Sequence, residues 1–249
     1  MTWSPAQYTK FESDRTRPVR DLVAAIPTTP KTAIDLGCGP ANSTEILRAR
    51  FPNATITGLD SDPYMITAAR KRLPDLEFEQ ADLATWQGTA DLILSNAVLQ
   101  WLPDHTTLLP SLMHRLTPGG TLAIQMPDNL DEPAYRAMRE VAGPGLMRRA
   151  EGQRGTMESA TAYYAALKPL CSQVDIWRTT YFHVLENTDA IVEWFRGSGL
   201  RPYLAALDEP GRADFLARYR DAIAAAYPTN PDGTVLLPFP RLFLVATRS

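Results

Sequence analysis

The chain has 249 residues, of which 45% are hydrophobic and 21% are charged, and its formal net charge is −3. This length and composition suit one α/β domain, alone or with a cap. No run of basic residues stands out, so nothing in the charge pattern favours nucleic acid as a partner.

Arginine greatly outnumbers lysine, since only four of the 25 cationic residues are lysines. Genomic base composition explains such a bias. An alternative explanation is that some of the arginines bind carboxylates in a bidentate manner, for which lysine is a poor substitute.

The two cysteines, Cys38 and Cys171, have neither the spacing of a metal site nor that of a disulfide framework. The first residues, MTWSPAQYTKFESD, lack the apolar centre of a signal peptide, and no apolar run is long enough to cross a bilayer. We therefore expect a soluble cytoplasmic protein that does not bind membranes, and nothing demands more than a monomer.

The predicted elements begin with a helix in DRTRPVRDLVAAI, whose apolar residues have helical spacing. Five predicted strands follow, namely TAIDLG, ATITGLD, LEFEQAD, ADLILSN and GGTLAIQM. Helices are predicted in NSTEILRARF, where Asn42 and Glu45 suggest a capping box, in DPYMITAARKRL, where Pro63 suits the first turn, and in HTTLLPSLMHRL. The alternation predicts a mostly parallel sheet with helices on both faces.

This alternation stops after Met126. Helices are predicted within residues 128–168, with an interruption at AGPG, and in TDAIVEWFRGSG and PGRADFLARYRDAIAAAY. Two later strands are expected near 174–185 and 234–247. We predict a single domain over 1–249, with a core at 30–126 plus those strands. Helices within 128–168 and 188–227 would form a lid over the carboxyl edge of the sheet, where open α/β sheets bind ligands.

The stretch DLGCGPAN contains a glycine pair, Gly37 and Gly39, directly after the first strand. A dinucleotide-binding loop would have a third glycine where Asn42 stands. Asp60 lies at a distance along the chain that suits a ribose-binding carboxylate in either kind of site. This motif alone is therefore weak.

The motifs DLGCG, GLDSDPYM, QADLATW and LILSNAVLQWLPDH follow one another at four successive strand ends. In order and spacing, residues 30–126 resemble the Class I S-adenosylmethionine-dependent methyltransferases. The resemblance implies a Rossmann-like, mostly parallel seven-stranded sheet. It also implies S-adenosylmethionine as methyl donor, S-adenosylhomocysteine as product, and no metal.

Within this resemblance, glycines let the loop approach the methionine portion, Asp60 accepts from the ribose hydroxyls, and Asp82 accepts from the adenine amine. Asp35 either satisfies loop amides or contacts the ligand, and both alternatives stay open. The cofactor-binding residues implied are Gly37, Gly39, Asn42, Asp60, Ser61, Met65, Asp82, Leu83, Asn96, Ala97 and Trp101.

No residue stands out as a general base. Of the three histidines, His114 and His183 fit structural roles best, and His105 after the fourth strand is a weak candidate. An acceptor that is already anionic, such as a carboxylate, needs no base to attack a methyl group. Arginines in the predicted lid and terminal strand suit the remaining charges of such an acid.

A narrower resemblance covers nearly the whole chain. Four stretches are similar to the family that esterifies one carboxylate of trans-aconitate, namely WSPAQYTKFESDRTRPVRDLVAAIP, WLPDH, VEWFRGSGLRPYL and DGTVLLPFPRLFLVATR. This implies a small tricarboxylate substrate, with candidate contacts from Tyr8, Trp194, Arg196, Arg201, Tyr203 and Arg241. Alternatives are methylation of another small acid or of a phenolic hydroxyl, a nicotinamide-dependent dehydrogenase, and a cofactor-binding regulator without chemistry.

Overall fold

A computed structural model describes residues 12–150, 154 and 157–249. Tyr8, one of the predicted substrate contacts, lies outside the described residues.

The strands form one seven-stranded sheet, in the order β3-β2-β1-β4-β5-β7-β6. Their bounds are β1 (Thr32–Leu36), β2 (Thr55–Asp60), β3 (Glu77–Gln80), β4 (Ala90–Asn96), β5 (Leu116–Pro127), β6 (Cys171–Leu185) and β7 (Val235–Arg248). The pairs β1–β2, β1–β4, β2–β3 and β4–β5 are parallel. The predicted Rossmann-like, mostly parallel sheet is confirmed.

Helices follow most of these strands. They are α1 (Glu12–Ala24), α2 (Asn42–Arg50), α3 (Pro63–Arg72), α4 (His105–His114), α5 (Pro133–Arg149), α6 (Ala160–Leu167), α7 (Thr188–Arg196), α8 (Arg201–Ala205) and α9 (Glu209–Ala226). Short 3₁₀ turns occur at Leu83–Thr85, Leu99–Trp101 and Lys168–Leu170. No described helix is long and apolar enough to cross a membrane.

The chain divides into two compact units. Unit 1 comprises residues up to 127, 157–179 and 242–249, and unit 2 comprises 128–156 and 180–241. Helices α5, α7, α8 and α9 belong to unit 2, whereas α6 belongs to unit 1. The placement of these helices as a lid stays a prediction.

The central strands of unit 1 read as nearly continuous apolar runs because a parallel sheet is covered on both faces. Leu36 of β1 and Ile93 of β4 are completely buried, as are Leu109 and Met113 of α4. This core fixes where the central strands end and therefore where their loops begin.

Two helix starts differ in how they are stabilised. The predicted capping role of Asn42 is wrong: the N-cap of α2 is Ala41, which has a left-handed backbone (φ 69°) and no capping side chain. For α3 the prediction of Pro63 in the first turn is confirmed, and the side chain of Asp62 accepts from the amides of Tyr64 and Met65.

Candidate functional site

The loop after β1 is joined to the end of β2 by backbone hydrogen bonds. The amides of Gly37 and Cys38 both donate to the carbonyl of Leu59, at 2.7 and 2.9 Å. Since β1 and β2 are parallel neighbours, this loop starts at the carboxyl edge of the sheet. The first glycine motif and the acid of the second strand therefore lie side by side.

Asp60 holds this loop through its carboxylate. Its Oδ2 accepts from the Gly39 amide and its Oδ1 accepts from the Asp62 amide, both at 2.9 Å. Burial raises the pKa of Asp60. Each carboxylate oxygen has two lone pairs, so each can accept a further hydroxyl donor.

The two glycines of the motif meet different surroundings. Gly37 has φ 74°, and a Cβ there would lie 2.3 Å from Cγ2 of Val98. Gly39 has φ 54°, and a Cβ there would meet no atom of the described residues within 4 Å. Gly37 is thus required by protein contacts, whereas Gly39 borders open space at the sheet edge.

Among the described residues no loop amide donates to Asp35, and its Oδ1 is buried without a hydrogen-bond partner. Its Oδ2 accepts from the hydroxyls of Ser43 and Thr44 in the first turn of α2, both at 2.7 Å, and its side chain is completely buried. Burial is the main cause that raises the pKa of Asp35 to about 6. These bonds fix the first turn of α2, whose N-cap Ala41 has no side-chain cap.

Several buried oxygens at this edge accept nothing from the described residues. They are Asp35 Oδ1, Asn42 Oδ1, Asn96 Oδ1 and Gln100 Oε1. Such acceptors suit an ammonium, hydroxyl or amine donor of a ligand, because leaving a buried polar atom unbonded destabilises the fold. Together with the space beside Gly39, they fit a polar, partly cationic molecule bound along the strand ends.

The loop after β4 is held by backbone and side-chain bonds. Ala97 has a left-handed backbone (φ 57°), its amide donates to the Gln125 carbonyl at 2.8 Å, and its carbonyl accepts from Gln100 Nε2 at 2.6 Å. Trp101 is half-buried in the following 3₁₀ turn. Asn96 and Ala97 thus stand at the end of β4, next to the end of β1 in the sheet.

The remaining predicted cofactor contacts follow β2 and β3. Met65 is buried on α3, Ser61 is exposed, and the amide of Ala81 donates to the Asp60 carbonyl at 3.0 Å. Asp82 is exposed and Leu83 is half-buried, both beside that link. All eleven predicted cofactor residues therefore lie in unit 1 at or just after strand ends.

The predicted substrate residues within the described chain belong to unit 2. Trp194 is buried against His183, with ring centroids 4.5 Å apart, and Tyr203 is buried and stacks on Phe215. Burial is the main cause that raises the pKa of Tyr203.

The three predicted substrate arginines differ in exposure. Arg196 is exposed and forms an ion pair with Glu193 at 2.7 Å. Arg201 is half-buried at the start of α8, and Arg241 is only 4% exposed, with its guanidinium 4.8 Å from the ring centroid of Phe239. Arg241 is therefore the most buried of the three.

Some residues of these regions carry no sequence signal. The packing of Val98 against Gly37 joins the loops after two different strands, so no local sequence pattern indicates it. Ser43 and Thr44, which bind Asp35, look like ordinary helix residues in the sequence. In unit 2, Nη1 of Arg154 donates to Asn129 Oδ1 at 2.8 Å and to the Tyr135 hydroxyl at 3.3 Å. Only the run of acids and glycines at strand ends could have been found from sequence.

The described residues include no cluster of three or more histidine, cysteine, aspartate or glutamate side chains that could hold a metal ion. Cys38 and Cys171 are both buried free thiols. Burial, with smaller effects from Asp35 and Asp60, raises the pKa of the Cys38 thiol.

Residues 34–122 match the family described as a methyltransferase domain. The trans-aconitate 2-methyltransferase of Methylobacterium nodulans is 55% identical, with 99% of this chain and 98% of that protein covered. The trans-aconitate 2-methyltransferase of Rhizobium meliloti is 53% identical over the full length of both.

Among solved structures, the chain is similar to Haemonchus contortus phosphoethanolamine N-methyltransferase 2, which was solved with phosphomonomethylethanolamine and S-adenosylhomocysteine. The TM-score is 0.56 at 13% identity, and the match covers 94% of this chain and 52% of that chain. At this identity the likeness shows the fold alone.

The buried Asp35 gives the stability of the fold a defined pH dependence. Because its pKa is about 6 in the folded chain and 3.8 ordinarily, the folded state binds more protons than the unfolded state between these values. The free energy of unfolding therefore falls as pH rises through this window, by about 3 kcal/mol, and levels off above it. In Asp35→Asn this component is absent, so the difference in unfolding free energy between the two proteins, measured by urea unfolding from pH 4 to 8, should change with pH only within that window and stay constant above it. A constant difference at every pH would contradict the raised pKa.

Proposed function

The chain belongs to the family of trans-aconitate 2-methyltransferases, and we propose that its strand-end residues in unit 1 bind the methyl donor while arginines of unit 2 recognise the acid. The reaction of this family joins the methyl group of S-adenosylmethionine to a carboxylate of trans-aconitate, which gives a monomethyl ester and S-adenosylhomocysteine. This enzyme is an S-adenosylmethionine-dependent carboxyl methyltransferase.

One observation carries the assignment of the donor site. The Gly39 amide and the Asp60 carboxylate are bonded to each other beside open space, and the unbonded acceptors Asn42 Oδ1 and Asn96 Oδ1 lie at the same sheet edge. S-Adenosylmethionine has an ammonium, two ribose hydroxyls and an amine as donors. The oxygen acceptors of Asp60, Asn42 and Asn96 are of the type that these donor groups need.

The individual roles follow from atom types and from the family resemblance. Asp60 accepts from the ribose hydroxyls with the lone pairs that its loop bonds leave available. Asn42 Oδ1 accepts from the ammonium of the methionine portion. Met65 packs on the adenine, and Asp82 with the Leu83 backbone binds the adenine edge. Asn96 and Ala97 lie near the methyl-bearing sulfur of the donor, and Trp101 forms one wall of the methyl-transfer pocket.

When bound, S-adenosylmethionine supplies a methyl group on a sulfonium, already activated for transfer. The protein then has to position the acid, exclude water and balance charge. A carboxylate is ionised at neutral pH, so the chain needs no residue to remove a proton from it. This agrees with the bonds of His105, whose two ring nitrogens both have partners inside unit 1.

Recognition of a tricarboxylate requires fixed cations. Arg241 is buried and Arg201 is half-buried, so their guanidinium groups are poorly solvated and bind carboxylates more strongly than surface arginines do. Arg196 is exposed, so its guanidinium is better solvated than theirs. We therefore rank Arg241 and Arg201 above Arg196 as substrate contacts.

The activity itself is tested by transfer of label from methyl-labelled S-adenosylmethionine to trans-aconitate, cis-aconitate, isocitrate, citrate, a fatty acid and a catechol. We expect a base-labile labelled ester with trans-aconitate and much less with the other acids. Label in the catechol, or in none of the acids, would contradict the assigned substrate and leave the donor site to be judged separately.

The donor site is tested with two glycines that share a backbone conformation. Gly39 and Gly119 both have positive φ (54° and 76°), and a Cβ at either meets no described atom within 4 Å. Alanine therefore introduces similar backbone strain at both. Gly39→Ala should weaken S-adenosylhomocysteine binding by roughly tenfold or more, since its Cβ occupies ligand space, whereas Gly119→Ala should not. Calorimetry measures both, and equal affinities would place the ligand elsewhere.

The acid contact is tested by Arg201→Ala, with Arg218→Ala as the matched control. Arg218 lies on α9 of the same unit, exposed and paired with Asp214 at 3.0 Å. Loss of a charge-assisted hydrogen bond should raise the KM for trans-aconitate by about tenfold in Arg201→Ala, with unchanged affinity for S-adenosylhomocysteine. Arg218→Ala should leave both constants unchanged. An unaltered KM in Arg201→Ala would remove this residue from the acid site.

A further inference from the structure

Unit 1 contains a buried pair, His105 on α4 and Tyr163 on α6, that the donor-site assignment does not use. Nδ1 of His105 lies 2.7 Å from the Tyr163 hydroxyl, and Nε2 lies 2.8 Å from the carbonyl oxygen of Leu99. His105 is 6% exposed and Tyr163 is completely buried. Their rings stack with centroids 5.8 Å apart.

The partners determine where the protons lie. A carbonyl oxygen only accepts, so Nε2 of His105 carries the hydrogen that is donated to Leu99. In the neutral ring Nδ1 then accepts from the Tyr163 hydroxyl, whose oxygen also accepts from the Glu158 amide at 3.2 Å. Both ring nitrogens are thus satisfied, and neither is available to take a proton from a substrate.

The carbonyl that His105 binds belongs to the 3₁₀ turn after β4. The Leu99 carbonyl also accepts from the Leu102 amide at 2.9 Å, and the Trp101 amide donates to the Val98 carbonyl at 3.0 Å. His105 therefore adds a side-chain bond to the oxygen that closes this turn. Without that bond, the Leu99 carbonyl would keep only the bond from the Leu102 amide.

The same turn reaches the glycine loop. Val98, at its start, fills the space where a Cβ on Gly37 would lie, 2.3 Å from its Cγ2. Trp101 is the last residue of the turn. A continuous set of contacts thus runs from Tyr163 through His105 and Leu99 to Val98 and the loop at Gly37.

Tyr163 also has a particular place along the chain. It lies on the first helix after the chain returns from unit 2 to unit 1 at residue 157. Its hydroxyl binds both the turn-holding histidine and the amide of Glu158, which directly precedes the N-cap residue Ser159. The pair therefore fixes the returning segment and the β4 turn to one another.

We propose that His105 and Tyr163 are positioning residues that hold the turn at Leu99–Trp101, and through Val98 the loop at Gly37, in the shape that binds the methyl donor. The proposal rests on the donor site assigned above. His105 in this role acts through the Leu99 carbonyl and does not exchange a proton with the acid.

The test uses Tyr163→Phe, which keeps the imidazole and removes its hydroxyl partner, together with His105→Phe and His105→Gln. Tyr163→Phe and His105→Phe should each weaken S-adenosylhomocysteine binding by about tenfold in calorimetry, because each removes a buried hydrogen bond and leaves a partner unsatisfied. His105→Gln keeps an N–H donor within reach of Leu99, so it should lose less than about threefold. Hydrogen exchange at the Leu102 amide should speed up in the same order.

The kinetic constants separate this role from acid–base catalysis. The positioning role predicts an unchanged KM for trans-aconitate and an unchanged shape of the pH profile of kcat in all three variants. His114→Gln, at the exposed end of the same helix, serves as the matched control and should behave like the parent. Thermal melting confirms that each variant is folded, and His105→Gln remains informative if Tyr163→Phe does not fold.

Three results would overturn the proposal. The first is S-adenosylhomocysteine affinity within about twofold of the parent in both phenylalanine variants. The second is loss of kcat in both His105 variants with Tyr163→Phe unaffected, which would make the imidazole a base. The third is parent-like exchange at Leu102. A parent protein that binds no S-adenosylhomocysteine contradicts the donor site instead, and the exchange rates then still decide whether the pair holds the turn.

Discussion

The hydrogen bond from the Gly39 amide to the Asp60 carboxylate is the interaction on which the donor site depends. It joins the loop after β1 to the end of β2, two parallel strands whose carboxyl ends meet at one edge. A second link, from the Ala81 amide to the Asp60 carbonyl, brings in the end of β3. One residue thus connects the ends of three strands, so the loops that follow them are held close together at the proposed donor site.

The rest of unit 1 supports this edge by means that are invisible at the edge itself. Asp35 is completely buried and holds the first turn of α2 through the hydroxyls of Ser43 and Thr44, although burial makes its charged form unfavourable. His105 holds the turn after β4 through the Leu99 carbonyl. Both groups are titratable and completely or almost completely buried, and each is bonded to an element next to the proposed donor site. Perturbed or buried titratable groups here mark positioning of a site as well as chemistry.

Unit 2 has a different physical character. Its predicted substrate residues lie among aromatic rings, with Trp194 against His183 and the Arg241 guanidinium over Phe239. Rings and buried guanidinium groups form a poorly solvated environment in which carboxylate recognition is strong. Methyl transfer to an anion asks little more of a protein than such recognition, since the acceptor is already deprotonated. The absence of a convincing base in the sequence and the engaged nitrogens of His105 agree on this point.

The sequence by itself determined the fold class, the order of the first five strands and the acids and glycines at their ends, because hydrophobic periodicity and strand-end motifs are local patterns. It also predicted correctly that Pro63 starts a helix. Only the tertiary structure decided that Ala41 precedes α2 instead of Asn42 capping it, and that Asp35 accepts from the hydroxyls of Ser43 and Thr44. The partners of His105 and the burial of Arg241 were likewise decided by contacts between residues far apart in sequence. Such contacts leave no periodicity or spacing in the chain, since they depend on how distant elements pack.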